Sequence, residues 1–165
     1  MEASRLNFRT AVLLADKGNV REIVESTGFF HPAEMDVAVE LVAERLEKGS
    51  DSGYEFIFAE KDGLIAGYAC FGPIPCTASS FDLYWIAVHK KFQASGVGRQ
   101  LLKRAEAAIA GQKGSAIYVE TSSRAQYGST RRFYERNGYG VEAVLKNFYA
   151  PEDDKVIYVK RLACP

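Results

Sequence analysis

The spacing of apolar residues in the first part of the chain predicts one strand followed by two helices. The strand is expected from Phe8 to Leu14, and a short helix from Asn19 to Thr27 is expected to end at Gly28. A second helix is predicted from Pro32 to Gly49, because proline suits the first position of a helix and glycine often follows the last. Its apolar residues recur at helical spacing: Met35, Ala38, Val39, Val42 and Leu46.

Strand patterns dominate the middle of the chain. Tyr54–Ala59 and Leu64–Ala69 flank Lys61-Asp62-Gly63, which has the composition of a hairpin turn with glycine in a left-handed position. Aromatic and β-branched residues predict a further strand from Phe81 to Val88. The pattern then predicts a helix over 98–110, a strand over 116–121, a helix over 129–136 and two strands over 141–148 and 156–162.

The order of these segments, β-α-α-β-β-β-α-β-α-β-β, is typical of a layered α/β fold. Residues 81–121 form a β-α-β unit, whose two strands are expected to be parallel neighbours with a right-handed crossover. The sequence has no internal repeat, low-complexity tract or linker-like stretch. We therefore expect a single domain over residues 1–165.

Charge and composition exclude some classes of function. The sequence has 21 basic and 21 acidic side chains, whereas a protein that binds nucleic acid usually has a basic excess. The apolar run from Ala11 to Ala15 is too short for the core of a signal peptide or for a membrane span. We therefore expect a cytoplasmic protein with neither nucleic acid nor membrane as a partner.

Cysteine and histidine residues show no metal-binding pattern. Cys70, Cys76 and Cys164 form no CxxC pair, and their odd number argues against a disulfide framework. Cys70 has apolar neighbours and is expected in the core. His31 and His89 show no ligand spacing with cysteine or carboxylate residues, so no metal is expected.

A glycine-bearing turn, Gln93-Ala94-Ser95-Gly96-Val97-Gly98-Arg99, lies between a predicted strand and a predicted helix. Its glycines allow a tight turn with uncovered backbone N–H groups, which bind phosphate at a helix N-terminus. Alternatively, the turn only packs the helix against the sheet. A P-loop would have Lys followed by Ser or Thr after Gly98, where Arg99-Gln100 stands, and a dinucleotide fingerprint would have glycine in place of Leu101.

Three segments together resemble the GCN5-related N-acetyltransferases, the GNAT superfamily. They are the strand Asp82–Val88, the turn Gln93-x-x-Gly96-x-Gly98 and the segment Phe133-Tyr134-Glu135-Arg136-Asn137-Gly138-Tyr139, in the order and at the spacing of that family. The resemblance implies a mixed, mostly antiparallel central sheet of about seven strands, with four helices on both faces. It also implies acetyl-CoA as acyl donor, direct attack by a primary amine in a ternary complex, and a monomer or a homodimer.

The resemblance assigns the cofactor to the turn and to the strand before it. In the family, the turn binds the CoA pyrophosphate through backbone amides, and the matching residues are Gln93, Ala94, Ser95, Gly96, Val97 and Gly98, with Arg99 close by. The strand backbone pairs with the pantetheine arm at Ile86, Ala87 and Val88, and a main-chain N–H near Val88 is expected to polarise the thioester carbonyl. Arg131 is a candidate for contact with the 3′-phosphate.

The resemblance also supplies candidates for proton transfer. Tyr134 matches the tyrosine that the family often uses as general acid toward the CoA sulfur, or else it packs on the sheet. Asp82 stands where many members carry a glutamate that deprotonates the amine, often through water. Alternation along the strand places Asp82 and Tyr84 on one face, where burial is expected to raise the pKa of Asp82; the alternative is a solvated aspartate at the strand start. Glu120 is a second candidate for base or amine recognition, or it caps the loop that follows.

Two positions depart from the family pattern. Members often place an asparagine that bonds the pantetheine seven residues before the catalytic tyrosine, and here that position is Tyr127. Thr130 stands where alanine is usual. These departures leave open how Tyr127 contacts the pantetheine.

Acceptor selectivity in the family comes largely from the loop between the first two helices and from the last strand pair. Phe29 and Phe30, together with Tyr84, are therefore candidate walls of an acceptor pocket. The acidic segment 149–154 either attracts a cationic amine or is a solvated hairpin tip. The sequence leaves the acceptor open among a metabolite, an antibiotic-type amine and a protein amino group. Two other functions stay open as well: a non-catalytic acyl-CoA sensor on the same fold, and a nucleotide-binding module for NAD or ATP.

Overall fold

The computed structural model describes residues 6–163, and Cys164 therefore lies outside the described residues. The elements follow the predicted order. They are β1 (Asn7–Arg9), α1 (Asp16–Thr27), α2 (Pro32–Lys48), β2 (Glu55–Lys61), β3 (Leu64–Pro73), β4 (Ser80–Val88), α3 (Val97–Gly111), β5 (Ala116–Ser122), α4 (Gly128–Arg136), β6 (Gly140–Ala150) and β7 (Asp153–Arg161).

β1 is shorter than the predicted strand, which extended to Leu14, and α1 begins before its predicted start at Asn19. The main-chain N–H of Leu13 donates to the carboxylate of Asp16 at 2.7 Å, and the N–H of Asp16 donates to the carbonyl of Leu13 at 2.9 Å. This turn ends β1 at Arg9 and begins α1 at Asp16. Arg9 stabilises it through a forked ion pair with Asp16, at N–O distances of 2.6 and 2.8 Å.

Several strands extend beyond their predicted bounds, among them β3, β6 and β7. β3 continues to Pro73, beyond its predicted end at Ala69. β7 begins at Asp153 rather than Val156, because Asp153 pairs with Ala150 of β6 and Lys155 pairs with Ser122 of β5. The acidic segment that was expected to be a loop therefore contributes its last two residues to a strand.

The helix ends and the hairpin that were placed at proline and glycine are confirmed. Gly28 ends α1 with a left-handed φ of 72°. Pro32 begins α2, and the main-chain N–H of His31 donates to the carboxylate of Glu34 at 2.8 Å to cap that helix. In the hairpin between β2 and β3, Gly63 has a φ of 75°, as the turn composition predicted.

Seven strands form one mixed, mostly antiparallel sheet in the order β1-β2-β3-β4-β5-β7-β6. β4 and β5 are parallel, with a register from Ser80↔Ala116 to Asp82↔Tyr118, as expected for the β-α-β unit. The pairs β1–β2, β2–β3, β5–β7 and β6–β7 are antiparallel. This is the sheet that the family resemblance implied.

The chain divides into two compact units. Unit 1 contains the described residues up to Gly72 together with Trp85–Ala108, and unit 2 contains Pro73–Tyr84 together with the described residues from Ile109 onward. β4 contributes residues to both units. The expectation of one domain over residues 1–165 stays a prediction. Within residues 6–163, no helix has the length and apolar character needed to cross a bilayer.

The core of unit 1 lies between helices α1 and α2 and strands of the sheet. Its buried residues are Val20, Ile23, Val24, Ala38, Val42, Phe56, Phe58, Tyr68, Cys70 and Ala87. Cys70 is fully buried, as predicted, and burial raises the pKa of its thiol. Leu46, the last residue of the predicted apolar face of α2, is 38% exposed, so the buried face ends one turn earlier at Val42.

The Tyr68 hydroxyl is a local defect in this core. Tyr68 is fully buried, and its hydroxyl has no hydrogen-bonding partner among residues 6–163. An unpaired buried hydroxyl lowers stability, because it loses its bonds to water without replacing them. We therefore expect Tyr68→Phe to raise the free energy of unfolding by about 1 kcal/mol in urea titrations. The matched control is Tyr158→Phe, which removes a hydroxyl that donates to Glu135 at 2.9 Å and should lower stability. A loss of stability in Tyr68→Phe would contradict the account.

Candidate active site

The predicted phosphate turn lies in unit 1, directly before α3. Residues 93–96 are exposed, whereas Val97 is buried and anchors the start of the helix. Ala94 and Gly96 both have positive φ angles, of 58° and 82°. The Ser95 hydroxyl donates to the main-chain carbonyl of Phe92 and so closes the turn from within. The Ser95 side chain therefore stabilises a turn whose residues are exposed.

The first turn of α3 has free backbone donors. The N–H of Gln100 donates to the carbonyl of Gly96 at 3.1 Å, which begins the helical hydrogen bonding. Val97, Gly98 and Arg99 precede that bond, where helices have no intrahelical acceptor for their N–H groups. A Cβ atom on Gly96 would meet no atom within 4 Å, so the space over the turn is open. This arrangement suits an anion such as a pyrophosphate.

The strand segment before the turn is held by hydrogen bonds to main-chain carbonyls. The Gln93 side-chain amide donates to the carbonyl of Val88 at 3.2 Å, and the N–H of His89 donates to the carbonyl of Ala66 at 2.9 Å. Ala87 is buried, whereas Ile86 and Val88 are half-buried. The sequence placed Gln93 in the phosphate turn, and the structure shows that its side chain also holds the end of β4.

Unit 2 carries the two candidate bases on one face of the sheet. Asp82 on β4 lies opposite Tyr118 on β5, and Ser122 on β5 lies opposite Lys155 on β7. Opposed residues point to the same side, as do residues two apart along a strand. Asp82, Glu120 and Lys155 therefore project from one face.

Asp82 has the raised pKa that the sequence predicted. Its side chain is half-buried, and burial together with the charge of Glu120 raises the pKa of Asp82 to about 6, while Lys155 lowers it. Tyr84, two residues on, is 36% exposed. A carboxylate with this pKa is ionised at neutral pH and is still basic enough to accept a proton.

Glu120 lies within β5 and forms an ion pair, whereas one interpretation of the sequence made it a cap of the following loop. β5 continues past it to Ser122, and the Glu120 carboxylate lies 2.7 Å from Nζ of Lys155. The Lys155 ammonium also lies 3.8 Å from the ring centroid of Phe148 and 5.7 Å from that of Tyr149. Sequence reasoning missed this cluster, because Glu120 and Lys155 become neighbours only through the pairing of β5 with β7.

Tyr134 on α4 packs against the opposite face of the sheet in unit 2. It is 4% exposed, and its ring lies 5.5 Å from that of Tyr139 and 6.1 Å from that of Tyr158, measured between centroids. Along β7, Lys155 shares the face of Asp82, and Tyr158, three residues further on, points to the other face. Because Tyr134 packs against Tyr158, Tyr134 and Asp82 lie on different faces of the sheet. Burial raises the pKa of Tyr134, so its phenol stays protonated at neutral pH. Tyr134 thus packs on the sheet, and its catalytic role stays a prediction.

The loop that precedes α4 is fixed by a network that sequence reasoning missed. The Arg131 guanidinium donates through Nη1 to the carbonyls of Ser122 and Arg124, at 2.6 and 3.0 Å. The Ser122 hydroxyl donates to the buried carboxylate of Asp153 and accepts the N–H of Arg124 at 3.1 Å. Asp153 is 8% exposed, so the interpretation of the acidic segment as a solvated tip fails at this residue. One nitrogen of the Arg131 guanidinium thus binds main-chain carbonyls of the loop rather than a phosphate. Tyr127 is the last residue of the short 3-10 helix in that loop.

The candidate acceptor residues are divided between the two units. In unit 1, Phe30 packs edge-on against Trp85 with ring centroids 5.0 Å apart, and Phe29 is 38% exposed. Tyr84 belongs to unit 2. Phe30 therefore contributes to the packing of the loop between α1 and α2, and Phe29 is the more accessible of the two rings.

The family to which the chain belongs follows from a comparison with models of protein families. The model of the acetyltransferase (GNAT) domain matches residues 52–141, from before β2 to the start of β6. The chain belongs to the GNAT acetyltransferase family. It is an acetyl-CoA-dependent acyltransferase, as the three quoted segments indicated. None of the curated protein sequences matches the chain.

One solved structure supports the same assignment, and two more distant ones share the fold. A GNAT-family protein from Desulfovibrio desulfuricans is 50% identical, with a TM-score of 0.95 over 96% of this chain and 100% of that one. The ribosomal-protein-S18-alanine N-acetyltransferase of Escherichia coli is 18% identical, with a TM-score of 0.77 over 98% of this chain and 96% of that one. An aminoglycoside 6′-N-acetyltransferase complexed with coenzyme A is also 18% identical, with a TM-score of 0.77 over 98% of this chain and 99% of that one.

Proposed function

We propose that this GNAT acetyltransferase transfers an acetyl group from acetyl-CoA to a primary amine by direct attack in a ternary complex. The observation that carries the proposal is the half-buried carboxylate of Asp82, whose pKa of about 6 suits a base at neutral pH. The exposed backbone of residues 93–96 supplies the phosphate-binding part of the same reaction. Structural relatives include a coenzyme A complex, which supports the choice of donor.

Each proton in the proposed reaction has a donor and an acceptor. Asp82 takes a proton from the ammonium of the acceptor, directly or through water, and the neutral amine attacks the thioester carbon. A C–N bond forms and the C–S bond breaks, while a main-chain N–H near Val88 stabilises the oxyanion. Tyr134 donates its phenol proton to the departing thiolate. The second proton that the amine nitrogen loses as the amide forms passes through water to the Tyr134 phenolate, which restores the phenol, and Asp82 releases its proton to solvent.

The strand register of unit 2 supports a reaction in which the proposed acid and the proposed base lie on opposite faces of its sheet. β4 and β5 pair from Ser80↔Ala116 to Asp82↔Tyr118, and both strands continue past those pairs. Tyr134 lies on one face of this sheet and Asp82 on the other. In the proposed reaction the base and the acid therefore belong to different faces of this sheet.

We propose a primary amine as the acceptor, and the proposal specifies only this chemical class. The relatives named above act on a ribosomal protein alanine and on an aminoglycoside, both at 18% identity to this chain. Neither acceptor can be transferred to this protein at that similarity. The aromatic residues Phe29, Phe30 and Tyr84 stay our candidates for acceptor contact.

The role of the turn is tested by a glycine substitution. We expect Gly96→Ala to raise the Kd for acetyl-CoA by about tenfold, since alanine disfavours the φ of 82° and its methyl group would cover the open backbone. Calorimetric titration with acetyl-CoA, CoA, NAD and ATP measures this and also tests the nucleotide-binding alternative. The matched control is Gly53→Ala, which has a φ of 74° and open space but lies outside the turn. Equal affinity of both variants, or preference for NAD or ATP, would overturn the assignment.

A further inference from the structure

The Lys155 ammonium is enclosed on the face of unit 2 that carries Asp82. Its side chain is 12% exposed, although lysine is normally a surface residue. Nζ lies 2.7 Å from the Glu120 carboxylate and 3.8 Å from the centroid of the Phe148 ring. The perpendicular Tyr149 ring packs against Phe148 at 5.1 Å between centroids. The ammonium is therefore held in one place by an ion pair and a cation–π contact.

The ion pair distinguishes the two carboxylates of this face. The Lys155 ammonium lies 2.7 Å from one oxygen of the Glu120 carboxylate and occupies that oxygen in an ion pair. Asp82 on the same face is half-buried, and its carboxylate is not the one that this ion pair engages. Lys155 therefore engages Glu120 and not Asp82.

The charged groups that act on Asp82 come from the neighbouring strands of unit 2. Glu120 on β5 and Lys155 on β7 act on it electrostatically with opposite sign. The titratable phenols of Tyr118 on β5 and Tyr84 on β4 share its face. Without the Lys155 charge, Asp82 and Glu120 would be two like charges on one face, and like charges make ionisation of either group less favourable.

We propose that Lys155 is a positioning residue of the acetyl-transfer site, which holds Glu120 in an ion pair and so leaves Asp82 as the carboxylate that takes the amine proton. The inference rests on the proposed function. It explains why the aromatic side chains of Phe148 and Tyr149 enclose a lysine at this point of the hairpin. It also gives Glu120 an indirect role, in place of the role as base that the sequence left open.

The pH–rate profile tests this inference. We expect Lys155→Met to move the acid limb of the profile to higher pH by about 0.5 or more, because the unopposed Glu120 charge raises the pKa of Asp82. Lys155→Arg retains the charge and should restore the wild-type limb. The matched control is Lys146→Met, which removes another lysine of the same hairpin, paired with Asp154 at 2.9 Å but 77% exposed. An acid limb that stays in place in Lys155→Met, or that moves equally in the control, would overturn the inference.

A measurement without substrate separates this inference from the proposed function. The carboxyl carbon of Asp82 can be titrated by NMR in the resting wild-type, Lys155→Met and Glu120→Gln proteins. We expect its midpoint to rise in Lys155→Met and to fall in Glu120→Gln, where the raising charge is lost. These shifts in a protein that acetylates no amine would refute the proposed function alone. Unchanged midpoints in an active enzyme would refute the role of Lys155 alone.

Discussion

Replacing Tyr134 by phenylalanine should lower kcat by about 100-fold or more, the usual loss when a general acid is removed. The Kd for acetyl-CoA should stay within about twofold, because the ring and its packing remain. Tyr134 lies among Phe133, Tyr139 and Tyr158, so phenylalanine fills the same space in the same apolar surroundings. Single-turnover measurements of acetyl transfer, combined with calorimetric titration, separate the chemical step from binding.

The matched control for this substitution is Tyr139→Phe. Tyr139 is 3% exposed and its ring centroid lies 5.5 Å from that of Tyr134, so the two changes remove a hydroxyl from one aromatic cluster. We expect the control to retain most of its kcat. Equal kcat in wild type and Tyr134→Phe would remove the general-acid assignment and leave Tyr134 as a packing residue.

Replacing Asp82 by asparagine should lower kcat/KM by about 100-fold or more, because the amine then lacks a base. Wild-type activity should rise with pH through about 6, where Asp82 loses its proton, and the variant should lack that limb of the pH–rate profile. Glu120→Gln is the discriminating comparison. If Glu120→Gln shows the larger loss and Asp82→Asn retains the limb, the two roles must be exchanged.

The same substitution has an effect on stability that does not depend on activity. The folded protein binds the Asp82 proton more tightly than the unfolded chain, since the pKa rises from 3.8 to about 6. The stability that the protonated form contributes below pH 4 is therefore lost as the pH rises through 6. Asp82→Asn should raise the free energy of unfolding at pH 7.5 by about 1 kcal/mol, a value reduced for the half-exposed side chain. The same gain at pH 4 and pH 7.5 would contradict this explanation.

The order of elements was predictable because each has a local signal. Proline and glycine mark both ends of α2, Gly28 ends α1, and Asp62-Gly63 turn the first hairpin. The parallel pairing of β4 with β5 followed from the helix between them. The turn before α3 was also predictable, because its glycines and the helix after it are adjacent in sequence; phosphate binding by this turn stays a prediction.

The parts of the site that depend on strand pairing were not predictable in the same way. Glu120 and Lys155, or Ser122 and Asp153, are distant in sequence and meet only because β5 pairs with β7. The early end of β1 at Arg9 depends on a side chain, Asp16, that captures the backbone of Leu13. The placement of Tyr134 and Asp82 on opposite faces required the register as well as the motifs.

The most direct test of the central claim is acetyl transfer to a panel of primary amines, with the N-acetyl product and free CoA measured by mass spectrometry. The panel should contain alkyl diamines, amino acids, an aminoglycoside and peptides with free N-termini. We expect one class of amine to be acetylated with equal amounts of CoA and product, in wild type and far more slowly in Tyr134→Phe and Asp82→Asn. CoA release without any N-acetyl product, or equal rates in all three proteins, would contradict the proposed reaction.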